Sequence, residues 1–137
     1  MKKTRLVPVL FVVLALLSAC GPQEAAGEAV LTVNDKSYSQ TDLEALGATS
    51  VDYIDKDGNV TTYEGISLSA LLTDASADSG SEVTFTAADG YEATLSVEEA
   101  LACANCIVGF DDGSLRTVMP DMSGKLNVKD LVLITVQ

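Results

Sequence analysis

Hydrophobic positions along this chain recur in short runs of two kinds, some alternating singly and others spaced by three and four residues. Residues 30–33 alternate and end at Asn34, Asp35 and Lys36. This predicts a strand, a turn, and a returning strand at Ser37 and Tyr38. Ser39 is placed to cap a short helix over 40–46, with Asp42 at its third position, Leu43 and Leu46 turned inward, and Gly47 as the stop. Strands over 50–54 and 60–63 follow, joined by a polar turn at 55–59. Gly65 is expected to break the second of these, after which Ser67 caps a helix in which Leu68, Leu71 and Leu72 repeat at helical spacing.

The remainder alternates again. Val83 and Phe85 face one way, Thr84 and Thr86 the other, up to a tight turn at Asp89 and Gly90 and a strand over 91–95. Ser96, with Glu99 three residues on, reads as a capping box opening a helix over 97–102. Strands at 106–110 and 115–119 flank a turn at 111–113, Pro120 closes the second, and 121–124 loops back. Residues 128–136 form a last apolar strand with a turn of helix at its start. Eight to nine short strands and three short helices, without repeats or long linkers, predict an α+β domain built on mixed or antiparallel sheet.

The N-terminus reads differently. Lys2, Lys3 and Arg5 precede an apolar run over 6–17, and Leu17, Ser18, Ala19 and Cys20 follow. A positive flank, an apolar core too short to span a bilayer and small residues before a cut describe an export signal. The Leu-Ser-Ala-Cys order resembles a bacterial lipobox, which implies cleavage before Cys20 and lipidation of its thiol. Residues 1–19 are then a signal peptide, 20–29 a flexible tether and 30–137 the domain. The expected location is the extracytoplasmic face of the cell membrane, with the lipid bilayer as a partner through Cys20.

Charge narrows the partners. Removing Lys2, Lys3 and Arg5 from eight basic residues leaves five against 20 acidic, a balance of −15 in the mature chain. Such a domain repels nucleic acid and anionic lipid surfaces. The chain has no histidine, which removes the usual general base and a common zinc ligand. Asp55, Asp57 and Asn59 open like a calcium-binding loop, but the sixth position is Val60 and the twelfth is Ile66, so the segment reads as a hairpin turn.

Cys103 and Cys106 remain once Cys20 is set aside, and three readings of them compete. A thioredoxin-like pair needs its first thiol at a helix N-terminus, whereas Cys103 follows the predicted helix at its C-terminal end. Zinc needs about four ligands, which this chain cannot supply alone. A local disulfide, or two packed thiols, is the plain reading in an oxidising compartment.

Taken in order, several landmarks resemble the oxidoreductase molybdopterin-binding domain of the sulfite oxidase type. They are the Leu-Thr-Val-Asn run at 31–34, the 42–46 helix, Tyr63 to Leu68 with Leu71 and Leu72, and the Ala-Asp-Gly-Tyr turn at 88–91. The 97–100 helix, the Leu-Arg-Thr-Val-Met-Pro run at 115–120, Gly124 with Lys125, and 128–131 complete the set. The resemblance covers about 30–136 and implies a mixed α+β domain that holds a pterin-bound molybdenum against loops at one edge. In that family a cysteine just ahead of the helix corresponding to 67–72 ligates the metal, and this chain has none between Ala48 and Gly65. Arg116 and Lys129 fall where family members carry basic residues, which makes them the candidate cofactor-binding positions. Tyr63, Asp89 and Tyr91, with Tyr53 near them, mark the candidate ligand edge.

The expectation is therefore a non-catalytic binding or accessory module, with no catalytic residue, metal site or cofactor, serving an envelope protein or a small ligand. The resemblance keeps molybdopterin open as a cofactor. The alternative is an oxidoreductase, either molybdopterin-dependent or working by thiol–disulfide exchange through Cys103 and Cys106.

Overall fold

The structure, a computed structural model, describes residues 27–137. Cys20, the expected signal segment and most of the expected tether lie outside the described residues. Nine strands and three α-helices follow in the order β1 (Ala29–Val33), β2 (Lys36–Ser39), α1 (Gln40–Ala45), β3 (Ala48–Ile54), β4 (Val60–Ser67), α2 (Leu68–Asp74), β5 (Glu82–Ala87), β6 (Glu92–Ser96), α3 (Val97–Ala102), β7 (Ile107–Asp111), β8 (Ser114–Val118) and β9 (Leu131–Val136). A single 3-10 turn, Gly124–Leu126, precedes β9.

The strands form two sheets. One has the order β2-β1-β9-β5-β6 and the other β3-β4-β7-β8. All pairings are antiparallel except β1 with β9, where Thr32 lies beside Leu133 and Val33 beside Ile134. The inward positions of both sheets meet α1, α2 and α3 in one core, which includes Leu31, Val33, Phe85, Val108, Leu115 and Ile134 from strands and Leu43, Leu71, Leu72 and Ala100 from helices. This is the α+β fold the hydrophobic pattern predicts.

Local chemistry sets the helix starts. Ser39 Oγ accepts from the Asp42 amide while the Asp42 carboxylate accepts from the Ser39 amide, a complete capping box. At α3 only half of the expected box forms: Ser96 Oγ accepts from the Glu99 amide, and Glu99 Oε2 takes the Ser96 hydroxyl rather than its backbone N–H. Leu46 is half-buried, just past α1. The Asp55 carboxylate accepts from the amides of Asp57 and Asn59 and from the Asn59 side chain, so the 55–59 segment is a self-capped hairpin turn.

Two expectations are corrected. Gly65 does not break a strand; it lies within β4, paired with Gly109 of β7. A Cβ at Gly65 would sit 2.1 Å from the Val108 carbonyl oxygen, so glycine here permits close approach of two backbones. The last strand starts at Leu131 rather than Val128, because the 126–128 segment is drawn onto β8 instead. Thr117 N–H donates to the Val128 carbonyl at 3.0 Å, the Val128 amide donates to Thr117 Oγ1 at 2.7 Å, and Thr117 Oγ1 donates to the Leu126 carbonyl.

Beside the core, Asp74 at the end of α2 binds β2. Its Oδ2 accepts from Lys36 Nζ at 2.6 Å and from Tyr38 Oη at 2.7 Å. Burial, with the hydrogen bond to Asp74 adding to it, pushes the Tyr38 phenol up to about 12, and the hydrogen bond to Lys36 leads the lowering of the Asp74 carboxyl.

Two outcomes follow from these contacts. Gly65→Ala should lower stability by about 1–3 kcal/mol in denaturant unfolding, as overpacking does, whereas Gly124→Ala, with open space around it, should stay within about 0.5 kcal/mol. For Tyr38 the folded state holds the proton more tightly than the unfolded chain, so its contribution is complete below about pH 10 and is lost as pH rises towards 12. Absorbance titration at alkaline pH should show a late-ionising component that accompanies unfolding, and Tyr38→Phe should abolish it.

Candidate functional site

The four-stranded sheet gathers two of the residues singled out from sequence. Tyr63 on β4 and Arg116 on β8 are 53 positions apart, with β7 between their strands. Register places Arg116 beside Gly109, and Gly109 beside Gly65, so no side chain on β7 stands in that row. Arg116 Nη1 donates to Tyr63 Oη at 2.9 Å, and its guanidinium carbon lies 4.7 Å from the centre of the Tyr63 ring. Asp111, at the end of β7, accepts from the same Nη1 at 3.5 Å.

Arg116 is only 7% exposed, and its Nε is buried without an acceptor among the described residues. Burying a guanidinium against one long ion pair costs more than the pair returns unless further acceptors complete it. Chemically the cluster offers a fixed cation and donors. It can orient an acceptor oxygen, and an arginine does not exchange protons near neutral pH.

The remaining candidate residues lie elsewhere. Asp89 and Tyr91 belong to the exposed β5–β6 turn of the other sheet. There Asp89 Oδ1 accepts from the Tyr91 amide at 3.0 Å, and Tyr91 Oη donates to the Lys125 carbonyl at 2.9 Å. Lys129 is exposed in the loop before β9, and Tyr53 is half-buried on β3. No bond among the described residues connects these four to the Tyr63–Arg116 pair.

The structure joins Cys103 and Cys106 in a disulfide, with their Cα atoms 5.5 Å apart. Cys103 is the C-cap of α3 and half-buried, and Cys106 is fully buried with its sulfur 4.0 Å from Met122 Sδ. The Cys106 carbonyl accepts from the Leu68 amide at 2.9 Å, so the bridge also receives the first turn of α2.

Two clefts open on this surface. One of about 380 Å³ is mainly apolar, walled by Val30, Phe110, Leu115, Leu131 and Val132 with Asp130 at its side. The other, of about 370 Å³, runs between Ser50, Val51, Asp52 and Ile54 of β3 and Asn105, Pro120 and Asp121. Sequence reasoning placed none of these lining residues in the candidate site, because each cleft forms between segments far apart in the chain.

The donor set does not fit a pterin-bound molybdenum. Both thiols among the described residues are closed on each other, so neither is free to ligate the metal. The buried arginine is turned to Tyr63 and Asp111, while Lys129 stands apart on the surface.

The cost of the buried cation can be measured. Arg116→Met should fold and be as stable as the parent or more so, whereas Asp111→Ala, which leaves the cation in place, should lose about 1–3 kcal/mol. Thermal and denaturant unfolding of the two variants reads both effects.

No protein-family model matches this chain, and no curated protein does either. Among solved structures it is similar to the sulfane dehydrogenase SoxCD from Paracoccus pantotrophus, with a TM-score of 0.64 at 15% sequence identity. The similarity covers 77% of this chain and 37% of that one, so the chain spans little more than a third of the dehydrogenase chain it matches. At this identity the likeness concerns the fold alone, and the two-sheet α+β architecture is the fold expected from the sulfite oxidase-type resemblance.

Proposed function

We propose that this chain is a lipid-anchored protein of the extracytoplasmic membrane face whose domain acts as a non-catalytic binding or accessory module. One observation carries the reading: a fold similar to that of a dehydrogenase encloses, among the described residues, two thiols bonded to each other and one arginine held by Tyr63 and Asp111. Molybdenum is gripped by soft thiolates, and a carboxylate replaces one poorly. Fold without the ligating atoms leaves a scaffold with surfaces, and surfaces bind. The anchor rests on the Leu-Ser-Ala-Cys sequence ending at Cys20, and the strongly acidic mature chain supports a domain held clear of anionic lipid. An envelope protein or a small ligand is the partner class on this reading.

Thiol–disulfide exchange is the second reading, and the half-buried position of Cys103 favours it. Against it stands the place of Cys103 at the C-terminal end of α3, where the helix dipole opposes a thiolate, and the full burial of Cys106.

Metal and pterin analysis of the purified mature protein should find molybdenum far below one equivalent; stoichiometric molybdenum overturns the proposal. Thiol titration across a redox series should show a disulfide that stays oxidised to below about −300 mV. Cycling between about −120 and −270 mV would instead make the pair an exchanger. Mass spectrometry of membrane-extracted protein should place two or more acyl chains on Cys20, and Cys20→Ala should release the chain from the membrane fraction.

A further inference from the structure

The edges of the two sheets are treated unequally. β8 is covered by the 126–128 segment through Thr117, and β2 and β6 are only four and five residues long. β3 is seven residues long, and it occupies the outer position of its sheet. Its register with β4 is unbroken from Ala48 to Ile54, with no bulge, and it carries neither proline nor lysine. Natural proteins blunt long edges with those devices, because an uncovered edge pairs with any passing strand. Among the described residues, β3 is paired with β4 alone.

The edge also has a floor and a charge. The 370 Å³ cleft follows Ser50, Val51, Asp52 and Ile54, and its far wall is Asn105, Pro120 and Asp121. Asp52 accepts from Thr62 at 2.6 Å and Asp121 from Asn105 at 3.1 Å; among the described residues neither carboxylate meets a cation. At the tip of the same hairpin, Ile54 and Val60 form a cross-strand pair exposed by 64% and 60%, above every other large hydrophobic described.

We propose that the β3 edge is the docking site of this domain, and that its occupant is an extended, basic segment of another protein that adds a fifth strand to the sheet. Backbone bonding supplies the pairing; on the face that Asp52 shares with Ile54, lysine or arginine side chains meet Asp52 and Asp121, and an apolar residue further along that same face reaches Ile54 and Val60. A second copy of this chain is disfavoured as occupant, since pairing two strongly acidic domains sets like charges together. The proposal rests on the binding-module reading and names the partner class for it.

The test uses the full folded chain and a short synthetic peptide alternating lysine and valine, with a glutamate–valine peptide as its counterpart. Amide exchange of β3 should slow with the basic peptide and not with the acidic one. Asp52→Lys combined with Asp121→Lys should weaken basic-peptide binding by at least about tenfold, with an unchanged unfolding midpoint. The assignment is overturned if β3 exchange is unmoved by the basic peptide, if both peptides protect it equally, or if protection appears without peptide as chain concentration rises. Molybdenum content and thiol cycling measured on the same sample separate the two failures. An inert disulfide and absent metal with an unmoved β3 remove this edge assignment alone, whereas metal or cycling removes the module reading.

Discussion

The four-stranded sheet depends on one close approach, that of β4 to β7 at Gly65 and Gly109. The pairing joins the β3–β4 hairpin to the β7–β8 hairpin, which otherwise are separate two-stranded ribbons of marginal stability. Val108 carbonyl and Gly109 Cα occupy the space a side chain at 65 would need. Three other features hang on that contact: the Cys106 carbonyl reaches the start of α2, Ser67 lies opposite Ile107, and Arg116 finds Tyr63 across an empty row. Local propensity would put something other than glycine inside a strand. Here the requirement comes from a chain segment more than forty residues away.

That distance marks the limit of what the sequence made legible. Elements built from neighbours were readable: Ser39 with Asp42, Ser67 before Leu68, and the alternation of Val83 and Phe85 against Thr84 and Thr86 all stand as expected. Gly65 was not readable, because a glycine that breaks a strand and one that admits another backbone look the same from inside the strand. The start of β9 was missed for a related reason. Val128 is apolar and fits a strand, yet Thr117 takes its backbone from across the fold. Parallel pairing of β1 with β9 left no local trace at all.

The candidate site divides along the same line. Tyr63 and Arg116 could be picked out as unusual residues, but only the register of three strands explains their contact. Asp89 and Tyr91 looked like their companions in a linear reading and belong to the opposite sheet. Arg116 remains the chemically expensive member. A buried cation with an idle Nε is tolerated in a strongly acidic domain, whose surrounding field favours positive charge wherever it stands. The disulfide spends both thiols on tying the end of α3 to the start of β7. The buried cation and the disulfide are thus both turned inward, to the scaffold.

The place of β9 has a bearing on how such a chain is made. β9 fills the slot between β1 and β5, and its Ile134 carbonyl receives the Asn34 amide a hundred residues earlier in the chain. During synthesis the first half of the larger sheet therefore has a gap at its centre until residue 136 has emerged. β9 is thus the keystone of the larger sheet, seated between two strands that are both made before it and that have no partner in common without it.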